Sequence, residues 1–187
     1  MKEIYSLIDN FDIWSALELC QEKHPVYYQN MLLECGLLNE LVSYLHNSNL
    51  NLNDSILIFN IDTFRPNFTL PNTFDISKID GYLEVFEGEG DQWSFVMPKG
   101  IDDVAKTTEK DRISSLCSSG LYYFGSANDF INIFKKSFET DKRDKGEFYI
   151  APLYNELIAQ GKIVKYFKIK IDDIIFCGTP QEYERLV

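Results

Sequence analysis

The sequence predicts an α/β protein with a mainly parallel central sheet and an N-terminal helical hairpin. Two observations lead there. Residues 1–48 place apolar side chains at three- and four-residue steps, the spacing of a helical stripe. From Ile56 onward, short apolar runs alternate with helix-like stretches, the order that a layered α/β domain needs. Of 187 residues, 45% are hydrophobic, 25% charged and 14% aromatic, which suits a well-filled globular core.

In order along the chain, Leu7, Ile8, Phe11, Trp14, Leu17 and Leu19 mark a first helix. Pro25 suits the first turn of a second, whose stripe runs through Met31, Leu32, Cys35, Leu38, Leu41, Val42 and Leu45. Such a hairpin packs on the following domain or on a partner, so a homo-oligomer or a partner chain held by these helices is expected. Asparagine-rich residues 47–54 form a loop that divides the chain into a helical extension, 1–48, and an α/β domain, 49–187.

Ile56-Leu57-Ile58-Phe59 is a continuous apolar run, the pattern of a strand buried on both faces. Tyr82-Leu83-Glu84-Val85-Phe86 and Trp93-Ser94-Phe95-Val96-Met97 read as the next strands, joined by a turn at Gly88-Glu89-Gly90-Asp91. Residues 104–108 and 121–124 follow as strands. Ser126 caps a helix with Asp129 in its first turn, residues 147–160 form another that Gly161 stops, and 163–169 alternate as a half-buried strand. Gly178-Thr179-Pro180 opens a last short helix.

The net charge of −11 argues against nucleic acid, which needs a basic footprint, and against anionic membranes. No apolar run is long enough to span a bilayer. The start Met1-Lys2-Glu3 lacks the pattern of an export signal, and Cys20, Cys35, Cys117 and Cys177 are scattered. A cytoplasmic protein with reduced thiols is the expectation.

Four places could carry chemistry. Asp62 follows the first strand, where open α/β sheets bind ligands, and its carboxylate could hold Mg²⁺ or simply begin a turn. Glu109 and Lys110, with Lys106 and Arg112 nearby, could hold sugar hydroxyls and a phosphate, or form a solvated charge cluster. Gly120, after Ser119, permits close approach of backbone and ligand, or merely begins a strand. Gly178-Thr179-Pro180 is a tight turn close to a sheet edge.

An ordered series of segments over 54–187 resembles the nucleotidyltransferases of capsular polysaccharide synthesis. It comprises Asn60-Ile61-Asp62-Thr63-Phe64-Arg65-Pro66-Asn67-Phe68, Asp80-Gly81-Tyr82-Leu83-Glu84, Trp93-Ser94-Phe95, Glu109-Lys110, Ile113-Ser114, Gly120-Leu121-Tyr122-Tyr123-Phe124, the run from Gly146-Glu147-Phe148 to Leu153-Tyr154-Asn155, and Phe176-Cys177-Gly178-Thr179-Pro180. The resemblance implies a glycosyltransferase-A-type, nucleotide-diphospho-sugar transferase-like fold and transfer of a nucleotidyl group from a nucleoside triphosphate to a sugar 1-phosphate. By family position it gives Asp62 a catalytic role as Mg²⁺ ligand and Lys110 the sugar phosphate. Glu109, Gly120 and Asn155 would bind the sugar substrate. Two departures stand out. The glycine-rich loop that cradles the triphosphate is not found, so the fold is expected to be incomplete at the N-terminus and nucleoside triphosphate to bind poorly. Phe176 stands where many relatives place a second metal-binding aspartate. The alternative is therefore a catalytically inactive sugar-phosphate-binding, regulatory or interaction protein derived from that family.

Overall fold

The computed structural model describes residues 51–60 and 62–184. The expected N-terminal hairpin, and the subunit contacts ascribed to it, lie outside the described residues. Strands β1 (Ile56–Phe59), β2 (Thr63–Phe64), β3 (Gly81–Glu87), β4 (Ser94–Lys99), β5 (Asp103–Glu109) and β6 (Leu116–Phe124) come first. Helices α1 (Ala127–Glu139) and α2 (Tyr154–Ala159) then lead to β7 (Val164–Lys168), β8 (Ile175–Phe176) and helix α3 (Pro180–Glu184).

The main sheet has the order β1-β6-β3-β7-β5-β4, and β4 returns to pair with β6. Only β3 and β7 are parallel; every other pairing in this sheet is antiparallel. The expected mainly parallel sheet is thus corrected to a mostly antiparallel one. The reason is connection length. The Gly100 turn, at positive φ, is too short for a crossover and returns β5 antiparallel on β4, while β3 and β4 each run antiparallel to β6. β6 is buried along its whole length, and burial on both faces produces an apolar run whichever way the neighbours point.

β1 also departs from expectation. It lies at the sheet edge with alternating burial, Ile56 and Ile58 against the core and Leu57 and Phe59 outward, 46% and 36% exposed. Residues 147–160 are not one helix: Glu147 bridges to Asp144, a 3₁₀ turn occupies Ala151–Leu153, and α2 follows. Other local signals hold. The Asp129 amide donates to the Ser126 hydroxyl, and Gly161, at φ +76°, follows the end of α2. At α3, the Glu182 amide donates to the Thr179 hydroxyl while the Thr179 amide donates to the Glu182 carboxylate, a reciprocal cap.

One face of the sheet packs Leu83, Val85, Val96, Tyr122 and Phe124 against Phe130 and Phe134 of α1 and Tyr154 and Leu157 of α2. Burying each such side chain contributes roughly 1.5–3 kcal/mol. Tyr154 stacks on Phe124 and its hydroxyl donates to the carbonyls of Tyr82 and Tyr123, so α2 is held against the middle of the sheet. The opposite face carries Tyr82 and Tyr123 in one cluster and Phe86, Phe95 and Cys117 in another.

Candidate functional site

The site begins with an irregularity in β6. Leu83 of β3 faces Tyr122 and Val85 faces Ser118, so β6 carries extra residues at Ser119 and Gly120. This is a bulge, a device that bends a strand and re-aims its side chains. β3 occupies one edge of β6. On the other edge β1 pairs with Leu121–Phe124 and β4 only with Cys117, leaving Ser118, Ser119 and Gly120 between the two strands. Gly120 has φ +89°, and a Cβ there would meet the Asn60 side chain at 2.7 Å. The Asn60 amide donates to the Gly120 carbonyl at 3.0 Å. The predicted Gly120 is therefore required by the structure, and Asn60 is the side chain that lies against it.

Asp62 follows Asn60 closely and is exposed. Its carbonyl accepts from the Cys177 amide at 2.9 Å and from the Cys177 thiol at 3.3 Å. A Cβ on Gly178 would come within 2.7 Å of the Asp62 carboxylate, so the Gly178 turn is shaped around Asp62. Among the described residues, no group of three or more His, Cys, Asp or Glu side chains could hold a metal ion. Asp62 offers a single carboxylate.

Glu109 ends β5, opposite Ser94 of β4, and Lys110 follows it. Glu109 is buried and accepts from the Ser94 hydroxyl. Burial pushes its carboxyl above the usual range, while the Ser94 bond and the Lys110 charge pull it back. Lys110 is exposed, with φ +50°. Its ammonium donates to Tyr149 Oη at 2.7 Å, and Tyr149 donates to Glu147 at 2.6 Å. That hydrogen bond holds the ammonium above its ordinary pKa, so it stays charged.

Burial raises the Tyr122 phenol above its ordinary pKa, and the neighbouring hydroxyls of Ser118 and Ser94 pull it back. The Gly120 amide donates to Ser118 Oγ at 3.2 Å. Ser118 accepts at the Gly120 end and Ser94 donates at the Glu109 end, with Lys110 next in sequence. Asp62 follows Asn60 by two residues, and its contacts are with Thr63, Cys177 and Gly178. Asn155 stands apart: its amide accepts from the Thr107 N–H and donates to the Thr107 carbonyl, both at 2.9 Å, which pins β5 two residues before Glu109. Phe176 packs its ring 5.0 Å from Trp93 and 5.5 Å from Phe86, with no donor atom to offer.

Sequence reasoning passed over Arg65 and Glu84. Arg65 donates to both carboxylate oxygens of Glu84, at 2.7 and 3.0 Å, and to the Asp173 carbonyl at 2.7 Å. Ser119, in the bulge, donates to Glu84 at 2.9 Å. The two side chains are 5% and 1% exposed. The signal was available: a lone carboxylate centred in the apolar strand Tyr82-Leu83-Glu84-Val85-Phe86 requires a buried partner. Arg65 also borders a separate open cavity of about 440 Å³, with Asn67, Phe167, Ile169 and Asp173; none of the predicted site residues lines it.

The mixed α/β architecture with its mostly antiparallel sheet is the nucleotidyltransferase fold. Among solved structures, the chain is similar to the nucleoside-diphosphate-sugar pyrophosphorylase of Vibrio cholerae RC9, with 42% identity and a TM-score of 0.71, over 80% of this chain and 62% of that one. It also resembles the inositol-1-phosphate CTP transferase of T. maritima (13% identity, TM-score 0.55, 81% of this chain and 59% of that one). A further neighbour is the CTP:phosphocholine cytidylyltransferase of Streptococcus pneumoniae (12%, 0.56, 93% and 73%). The latter two show the fold alone. The chain spans less than two thirds of the length of the first two. No protein-family model and no curated protein matches it. Among the described residues, no helix is long and apolar enough to cross a membrane.

Proposed function

We propose that this chain serves nucleotidyl transfer to a sugar 1-phosphate in surface-polysaccharide synthesis, and that the gap beside the β6 bulge is the sugar-phosphate side of its site. The observation that carries this reading is the buried carboxyl of Glu109, held by the Ser94 hydroxyl, beside the tyrosine-held cation of Lys110 at the end of β5. The 42% identity to a nucleoside-diphosphate-sugar pyrophosphorylase supports it.

In this reading Glu109 accepts hydrogen bonds from sugar hydroxyls, held in position by Ser94. Lys110 neutralises the sugar phosphate, and leaves Tyr149 to do so or shares its protons with both. The main chain of Gly120 lies along the sugar ring. Asn155 acts on the substrate through Thr107 and the line of β5. A sugar-phosphate oxygen attacks the α-phosphorus of the nucleoside triphosphate in line. The new P–O bond forms as the bond to the β-phosphate breaks, and pyrophosphate leaves. Asp62 is the residue that would hold a Mg²⁺, as a single carboxylate ligand beside the substrate phosphates. That ion would offset charge on the phosphates.

The apolar seat of Phe176 favours a second reading, a sugar-phosphate-binding protein without transfer activity. Calorimetry with glucose, galactose, mannose and N-acetylglucosamine 1-phosphates tests the shared claim. At least one should bind, and Lys110→Ala should weaken it about tenfold or more, the value of a charge-assisted bond. No binding by any, or binding indifferent to Lys110, refutes both readings. Pyrophosphate release with CTP, UTP, dTTP or ATP and Mg²⁺ then separates transfer from binding alone.

A further inference from the structure

Three segments that carry the candidate site converge on one guanidinium. Arg65 lies just beyond Asp62 in sequence. Its Nε and Nη2 bond both oxygens of Glu84 in β3, and its Nη1 bonds the Asp173 carbonyl, shortly before the Cys177-Gly178 turn that rests on Asp62. Glu84 passes the contact on to Ser119, beside Gly120 in the bulge. Resting on the reading above, we propose that Arg65 is a positioning residue. Through Glu84 it fixes the Asp62 segment and the 177–178 turn relative to the Gly120 bulge, and so sets the width of the sugar-phosphate site.

Burial makes the case. Both charges are withdrawn from water, at 5% and 1% exposure. Desolvation of such a pair offsets most of its attraction, and an apolar pair of similar volume commonly holds a fold as well. What an apolar pair cannot do is fix direction. A guanidinium presents its donors in one rigid plane, so three acceptors on two other segments define where the Arg65 backbone sits. Lysine has the charge without the fork and cannot meet all three at once. The elements concerned are otherwise slight: β2 and β8 are two residues each and pair only with one another.

The test compares R65M/E84M and R65K with wild type, in the full chain. Two main-chain bonds report the geometry without reference to activity: Asn60 N–H to Gly120 O and Cys177 N–H to Asp62 O. In R65M/E84M the urea midpoint should match wild type. Amide exchange at Asn60 and Cys177 should rise at least about tenfold. Affinity for the sugar 1-phosphate that wild type binds best should fall about tenfold, and affinity for inorganic phosphate less. R65K should fall between the two and not rescue. Wild-type exchange in a stable R65M/E84M overturns the proposal, as does faster exchange with unchanged sugar-phosphate affinity. Should R65M/E84M fail to fold, R65K decides: full wild-type exchange and affinity there would show that charge suffices and the fork does not matter. If wild type binds no sugar 1-phosphate, the proposed function falls while the exchange measurements still judge the clasp.

Discussion

Gly120→Ala should be among the most damaging single-methyl additions to this protein. Its magnitude follows from two separable costs. Gly120 has φ +89°, where an L-residue is disfavoured by about 1–2 kcal/mol. The added Cβ would also meet Cγ and Nδ2 of Asn60 at 2.7 Å and Cβ of Asn60 at 3.0 Å. Overpacking of that kind costs about 1–3 kcal/mol. The sum, roughly 2–5 kcal/mol, is a large share of the ~5–15 kcal/mol that holds a domain together. Asn60 is itself exposed, so Asn60→Ala alone should change stability by less than about 0.5 kcal/mol. In the Asn60→Ala background the 2.7 Å contacts vanish and only the 3.0 Å contact with the residue-60 Cβ remains, so Gly120→Ala should cost the backbone share of about 1–2 kcal/mol plus a remnant of the overpacking, clearly less than in wild type. Urea unfolding of the four proteins in the cycle measures both quantities. A Gly120→Ala cost below about 0.5 kcal/mol would mean that the bulge does not hold Gly120 as described. A full cost that persists without Asn60 would show that the contact is not its source.

Glu109→Gln tests the buried carboxyl by its pH dependence. Burial raises the folded pKa of Glu109 above its unfolded value near 4.5, so the native state holds the proton more tightly. Stability from this group is therefore present at low pH and lost as pH rises from about 4.5 through the folded pKa, while the glutamine variant has no such loss. Urea midpoints from pH 4 to 8 should move in favour of Glu109→Gln as pH rises, and a gap that is flat or moves the other way refutes the assignment. Asn155→Ala leaves the N–H and C=O of Thr107, a residue 1% exposed, without their partner. It should cost about 2–6 kcal/mol, at 1–3 kcal/mol for each buried group, and a value near zero in chemical denaturation would show that β5 does not depend on this amide.

What was legible in the sequence is what neighbours in the chain decide. The Ser126 cap, the stop at Gly161 and the helix start at Gly178-Thr179-Pro180 all act within a few residues, so residue type and spacing suffice to find them. Strand direction is a different matter. It depends on which element covers each face and on how the chain returns, and the apolar runs of β3 and β6 carry no mark of either. β1 misled for the same reason: Ile56-Leu57-Ile58-Phe59 reads as doubly buried, yet Leu57 and Phe59 face outward at the sheet edge. Asp62, Glu109, Lys110 and Gly120 were singled out from type and resemblance. The Arg65–Glu84 pair spans 19 residues of sequence, and only the oddity of a carboxylate in an apolar strand announces it. Asn155 was expected to bind the sugar by resemblance alone, and nothing in the sequence marked it as the side chain that holds Thr107.

The end of β5 carries a clue to how Glu109 and Lys110 divide their work. Consecutive residues of a strand point to opposite faces, which would separate the two side chains across the sheet. Here the strand stops at Glu109, and Lys110 adopts φ +50°, a conformation costly for any residue with a Cβ. Its amide nevertheless donates to the Trp93 carbonyl at 2.9 Å, so the chain has turned without losing contact with the segment leading into β4. Other non-glycine residues at positive φ, Asp141 and Lys145, lie in the exposed segment before Gly146, where solvent tolerates almost any turn. At Lys110 the strain coincides with a buried carboxylate on one side and a tyrosine-held ammonium on the other. Strained backbone persists where surrounding contacts over-determine it. The turn keeps the acid buried beside Ser94 while the cation swings out to the rim. A buried acceptor and an exposed cationic donor thereby sit on adjacent residues, each with its own partner.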